Sequence, residues 1–141
     1  MISRAPVTAA IRDLLAAGVG RPVGVGVLPT GTDGRPAPLP YLVLYPLGGT
    51  TEGAPLTDRG EDASWEYQVT IVAGRTDQAE WAADRTRAAV LDRDAAGRWA
   101  YPLTPAGARV WAREPVAEDL GDADTGLVTL VHRYRFKVTA G

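Results

Sequence analysis

Cysteine is absent from this 141-residue chain, and histidine occurs once, as His132. The missing cysteine excludes disulfides, thiolate zinc sites and a cysteine nucleophile together. It also fits synthesis in a reducing cytoplasm. Lysine is nearly absent too, with Lys137 the only one among 15 cationic residues. No run approaches the ~20 apolar residues of a membrane-spanning helix. The N-terminal segment MISRAPVTAAIRDLLAAG is broken by Arg12 and Asp13, so it lacks the apolar heart of a signal peptide. The expectation is a soluble protein, cytoplasmic when made, with no membrane partner.

What is present is ordinary for a globular domain: 45% hydrophobic and 23% charged residues. The length suits one domain over residues 1–141, able to bury roughly two-thirds of the unfolded chain's surface. Net charge is −2, with no block of basic residues. A phosphate-binding surface needs several Lys or Arg on one face, and no groove-reading motif occurs. Sequence-specific recognition of nucleic acid is therefore not expected.

Along the chain, Val7, Ile11, Leu14 and Leu15 form one apolar stripe, which predicts a helix over about 6–17 with Gly18 as its stop. Residues 21–28 (RPVGVGVL) read as a weak strand, whose glycines mean an edge or a close backbone approach. A turn-rich stretch over 29–40 follows, then a strand over 41–47 (YLVLYPL), with Pro46 near a strand end or an edge. Residues 48–62 show no periodicity and read as a long loop of the kind that is functional or disordered. Residues 63–73 alternate cleanly, with Trp65, Tyr67, Val69 and Ile71 on the buried face. The two strands and the loop between them form a long antiparallel hairpin expected to project from the body.

Residues 76–93 predict the second helix, with Thr76 as N-cap, Asp77 and Glu80 in the first turn, and a small-residue face including Ala79, Ala82, Ala83 and Ala89. Strands are predicted over 107–113 and 126–138, separated by a loop holding Glu114, Glu118, Asp119, Asp122 and Asp124. The order is α-β-β-β-α-β-β. An α+β fold is expected, with a mostly antiparallel sheet, two helices packed on one face and the protruding hairpin.

Candidate chemistry is sparse. His132 falls mid-strand on the core-facing side with Leu130 and Tyr134, and no further His or Cys could join it on a metal. Gly24 and Gly26 resemble half a dinucleotide fingerprint, but a proline-rich loop replaces the required helix. No phosphate loop and no nucleophile elbow occur. Asp58, Glu61 and Asp62 do not match the spacing of a calcium loop, and read as a solvated acidic tip or one that meets a basic partner. No catalytic site, metal or cofactor is expected. Arg133, Arg135 and Lys137 share one strand face through their spacing of two. That strip reads as a solvated face or as an interface meeting the acidic 58–62 loop of a neighbouring copy. Trp65 is expected in the core. Trp99, and Trp111 on a face shared with Arg109 and Arg113, are the candidate interface anchors.

Several segments taken together resemble the tail terminator proteins of long-tailed phages of actinobacteria. They are RAPVTAAIRDLLAAG, PYLVLYPLGG, the acidic hairpin loop, YQVTIVAGRTDQAEWAADRTRAAVL and the final basic-aromatic strand. The most specific part spans Tyr67–Leu91 around Gln78-Ala79-Glu80-Trp81, while residues 92–124 add little. The resemblance implies a non-enzymatic structural protein forming a hexameric ring at the head–tail junction of the virion, after assembly in the host cytoplasm. Its implied partners are further copies of itself, the tail tube protein and a head-completion or neck protein, with a lumen open to passing DNA. The alternatives are another neck or minor tail component and, in a different class, a small host ligand-binding domain; a DNA-binding role ranks behind these.

Overall fold

The structure, a computed structural model, describes residues 2–52, 62–121 and 126–141. Its elements are α1 (Arg4–Val19), β1 (Val23–Val25), β2 (Tyr41–Glu52), β3 (Asp62–Ala73), α2 (Thr76–Leu91), β4 (Ala108–Leu120) and β5 (Val128–Ala140). The fold is α+β, in the element order expected from the sequence. One five-stranded sheet runs β1-β2-β3-β5-β4. Only the β1–β2 pair is parallel; the other three pairs are antiparallel.

Both helices pack on one face. The α1 stripe of Val7, Ile11, Leu14 and Leu15 joins Leu42, Leu44, Tyr67, Ile71 and Phe136 of the sheet in one core. Trp65 is buried there too, as its alternation predicts. Tyr67 and Phe136 meet edge to face at 5.6 Å between ring centres, worth about 0.5–1.5 kcal/mol beyond area burial. The buried face of α2 is Ala79, Ala82, Ala83, Thr86, Ala89 and Val90. Small side chains there let α2 approach both α1 and the sheet closely.

Helix ends differ from the sequence reading. Gly18 does not stop α1; it lies buried inside it, packed so closely on Ala89 that an added Cβ would stand 2.5 Å from the Ala89 Cβ. The stop is Gly20, at φ 75°, whose N–H bonds the Ala16 carbonyl at 3.0 Å. Only glycine adopts that left-handed cap without strain. The N-cap of α2 is Arg75 rather than Thr76, with no side-chain cap bond, and the helix ends at Leu91.

Strand bounds differ more. β1 is reduced to three residues at the sheet edge, and the Val27–Pro29 backbone folds back onto Gly24, so both meanings of its glycines apply. β2 continues past Pro46 through a register shift and stays paired with β3 as far as Glu52↔Asp62. Residues 48–52 are thus strand, not loop. Residues 53–61, the expected projecting tip with Asp58 and Glu61, lie outside the described residues. β4 runs seven residues beyond its expected end at Arg113, so Glu114, Glu118 and Asp119 are strand residues rather than loop residues. Two register shifts, between Val110 and Ala112 and between Pro115 and Ala117, bend it. The first places Arg113 opposite Phe136 on the helix-covered face, which corrects the expectation that Trp111 and Arg113 share a side. One extra residue in a strand reverses every facing after it.

Candidate functional site

The face of the sheet away from the helices carries the basic strip. Cross-strand pairing sets Ser64 beside Lys137, Glu66 beside Arg135, and Gln68 beside Arg133. On the other flank β4 adds Glu114, opposite Arg135. The Arg135 guanidinium reaches Glu66 at 2.7 Å and Glu114 at 3.5 Å, and the Lys137 ammonium reaches Glu114 at 3.2 Å. Arg133 is exposed and donates to the Gln68 carbonyl oxygen at 3.2 Å. Two of the three cations are therefore already paired inside their own sheet. Such solvent-screened pairs contribute little to stability. The ladder orders side chains more than it offers net charge to a partner.

At the end of this face where β2 closes on β3, Thr50, Asp62, Ser64, Trp111 and Lys137 surround a shallow hollow of about 190 Å³. Asp62 is exposed there, and Trp111 stands 53% exposed with the Lys137 ammonium 5.5 Å from its ring centre. The structure thus brings Asp62, Trp111 and Lys137 to one rim, with Arg135 next to them.

Trp99 sits apart from that rim. Its ring is half-buried between two guanidinium groups, Arg93 at 3.9 Å and Arg113 at 4.6 Å. Arg113 is itself buried, donating to the Val90 carbonyl at 3.2 Å and the Tyr101 carbonyl at 2.8 Å. Its Nε has no partner among the described residues. Burial, and then the nearby charge of Arg93, pulls its pKa down to about 10, which leaves it cationic at neutral pH. α2 has no basic residue in its last turn. A guanidinium from β4 supplies the positive charge that the helix C-terminus favours. Trp99 and Arg113 thereby fasten the 92–107 segment to the end of α2.

His132 is buried, as its strand position predicts, with Nδ1 2.8 Å from the Tyr134 hydroxyl. Burial lowers the His132 pKa and raises that of Tyr134. Both side chains are buried, and each satisfies a polar atom of the other at this contact. Nearby, Arg87 of α2 grips Glu118 of β4 through two bonds of 2.7 and 2.9 Å, holding the Glu118 carboxyl below its usual range. Among the described residues no group of three or more His, Asp or Glu could hold a metal ion. No helix among them is long and apolar enough to cross a membrane.

Periodicity did not reveal a set of exposed apolar side chains. Trp111, Val116 and Leu120 lie on β4, one lateral edge of the sheet. Val27 and Leu28 lie just beyond β1, at the opposite edge, while Leu39, later in the same joining segment, lies beside Gly74 at the start of α2. Trp81 of α2 is partly covered by Arg85, whose guanidinium lies 5.0 Å from its ring centre. The available signal was apolar residues inside a proline- and glycine-rich stretch, where a solvated loop has no need of them.

Searches for similar proteins match no family model, and no curated protein matches the sequence. A solved structure does. A chain of "Virion of native gene transfer agent (GTA) particle" shares the fold with a TM-score of 0.61 and 20% identity, over 95% of each chain.

Proposed function

We propose that this chain is a structural virion protein without catalytic activity, and that its place is the tail terminator. In this reading it forms a hexameric ring that caps the tail tube, ends tube polymerisation and joins the tail to the head connector. The observation that carries the virion reading is the fold shared along nearly the whole length with a chain of a gene transfer agent particle. The terminator role draws support from the resemblance centred on Tyr67–Leu91. The exposed apolar side chains at both lateral edges suit a protein that meets copies of itself. Its other partners are then the tail tube protein and a neck protein, and its location is the head–tail junction.

Deleting the gene from the element that encodes it tests the role directly. The expected result is heads without tails, beside tubes of uncontrolled length. Normal tails on every head would refute it. Labelling the protein in intact particles separates a terminator from another neck or minor tail component, because only a terminator sits at the head-proximal end of the tube.

A further inference from the structure

We infer that the hollow between α2 and the far end of the β4–β5 pair docks an arginine side chain presented by a protein partner. The inference goes beyond the terminator reading and does not depend on it.

Helix and sheet leave this corner open. Strand pairing sets Glu118 opposite His132 and Leu120 opposite Leu130 on the helix-covered face. α2 does not reach over the end of β4, where Leu120 is 85% exposed. Between them lies a hollow of about 210 Å³, with His132 and Leu130 on the sheet side and Glu80, Asp84 and Arg87 on the helix side. Small-molecule pockets span about 300–1,000 Å³, so this space suits a single side chain.

Charge selects a cation. Four carboxylates, Glu80, Asp84, Glu118 and Asp119, border the hollow with one guanidinium, that of Arg87. Arg87 is bonded to both oxygens of Glu118 but to only one of Asp84. Glu80 and Asp119 enter no ion pair among the described residues. The nearest further cations turn elsewhere. Arg85 stacks on Trp81, which borders Arg21 and Pro40 on the other flank of α2, and Arg133 meets Gln68 on the opposite face of the sheet.

Acidic side chains alone would be a solvated rim; the histidine distinguishes this place. His132 is only 3% exposed, and its Nδ1 is satisfied by the Tyr134 hydroxyl at 2.8 Å. Its other ring nitrogen is bonded to no described residue. Among those residues Arg113 Nε is the one side-chain polar atom both sealed from solvent and unpartnered, so His132 Nε2 opens into the hollow that the ring lines. Tyr134 can donate to Nδ1 or accept from it, which leaves Nε2 free to accept an N–H from a guest. Burial keeps the ring neutral at neutral pH, so it does not repel a cation. An arginine stem can lie along Leu120 and Leu130. Its planar donors then face several acceptors at once, and a guanidinium is less strongly hydrated than an ammonium.

Because His132 is the only histidine, its imidazole NMR signals are read without ambiguity. The full chain is titrated at constant ionic strength with the blocked peptide acetyl-Leu-Arg-Leu-amide. The expected result is a saturable shift of the His132 ring signals, with a Kd on the order of 1 mM. Glu80→Gln combined with Asp119→Asn should weaken binding about tenfold with an unchanged melting curve, both side chains being exposed. Ring signals that do not respond would overturn the inference. So would equal binding of the glutamine or lysine counterpart of the peptide, or the same shift produced by magnesium chloride.

A photoreactive residue in place of Leu120 tests the partner in the host that makes the chain. Crosslinked peptides sequenced by mass spectrometry should carry an arginine within a few residues of the linkage. Peptides without one, or no crosslink at all, would overturn the protein partner. Loss of the terminator role would leave both results unchanged.

Discussion

Gly18→Ala should destabilise the protein, even though the same change on an exposed helix surface is stabilising. Gly18 lies within the last turn of α1 where it crosses α2, and a Cβ there would stand 2.5 Å from the Ala89 Cβ and 3.4 Å from its Cα. Carbon atoms rest about 3.5–4.0 Å apart, so the helices must separate by about 1 Å. Alanine gains about 1 kcal/mol over glycine in helix propensity. Overpacking a close-fitted core costs about 1–3 kcal/mol. Because the overlap is with the rigid Ala89 Cβ at 2.5 Å, the cost here lies in the upper half of that range, about 2–3 kcal/mol, so a net loss of about 1–2 kcal/mol is expected, which lowers Tm by about 3 °C per kcal/mol for a domain of this size. Ala89→Gly alone should also destabilise, by about 1 kcal/mol or more, through propensity and a lost contact. The double variant moves one methyl from α2 to α1, so the propensity terms cancel and the clash disappears. It should return to within about 0.5 kcal/mol of the parent, a coupling of about 1.5–3 kcal/mol. Urea denaturation followed by far-UV circular dichroism measures all four proteins. If Gly18→Ala were as stable as the parent, or the two changes simply added, the close approach of the helices would be refuted.

Other outcomes follow from the same structure. Arg113→Lys should cost about 2 kcal/mol, because an ammonium cannot hold the Val90 and Tyr101 carbonyls together while stacking on Trp99; denaturation midpoints check it. Burial lowers the folded-state pKa of His132 below its ordinary 6.5. As pH falls the unfolded chain takes up that proton first. Stability present above pH 6.5 is therefore lost as pH drops through the depressed folded value. His132→Gln should flatten that part of the stability profile, measured by denaturation at a series of pH values. Arg87→Ala removes the half-exposed clasp between α2 and β4, and should cost no more than about 1 kcal/mol, shrinking further in high salt.

Much of the fold was legible because burial on one side leaves a period. The α1 stripe and the Trp65–Ile71 alternation are records of which way each side chain must turn, and both helices and the long strands could be read from them. His132 was placed in the core by its register with Leu130 and Tyr134, without knowledge of its partner. The candidate surface was legible only in outline. Arg133, Arg135 and Lys137 do share a face, yet Glu66 and Glu114, which pair two of them, come from strands distant in sequence. Trp99 was read as a candidate anchor from its loop context alone; its flanking guanidiniums, Arg93 and Arg113, meet around it only when β4 packs against the end of α2.

By itself, then, the sequence determined the element order, the helix-covered face of the sheet, and the lack of cysteine chemistry or a second histidine. These depend on residue identity and on the side-chain period along one segment. Tertiary structure alone decided that Gly18 is a packing contact rather than a helix stop, and that Arg113 points inward. It also decided that Trp111, Val116 and Leu120 are exposed along one edge of the sheet while Val27 and Leu28 are exposed at the other. Each depends on where a second segment lies: a helix crossing, a register shift against a neighbouring strand, the order of strands in the sheet. No local period encodes such distances.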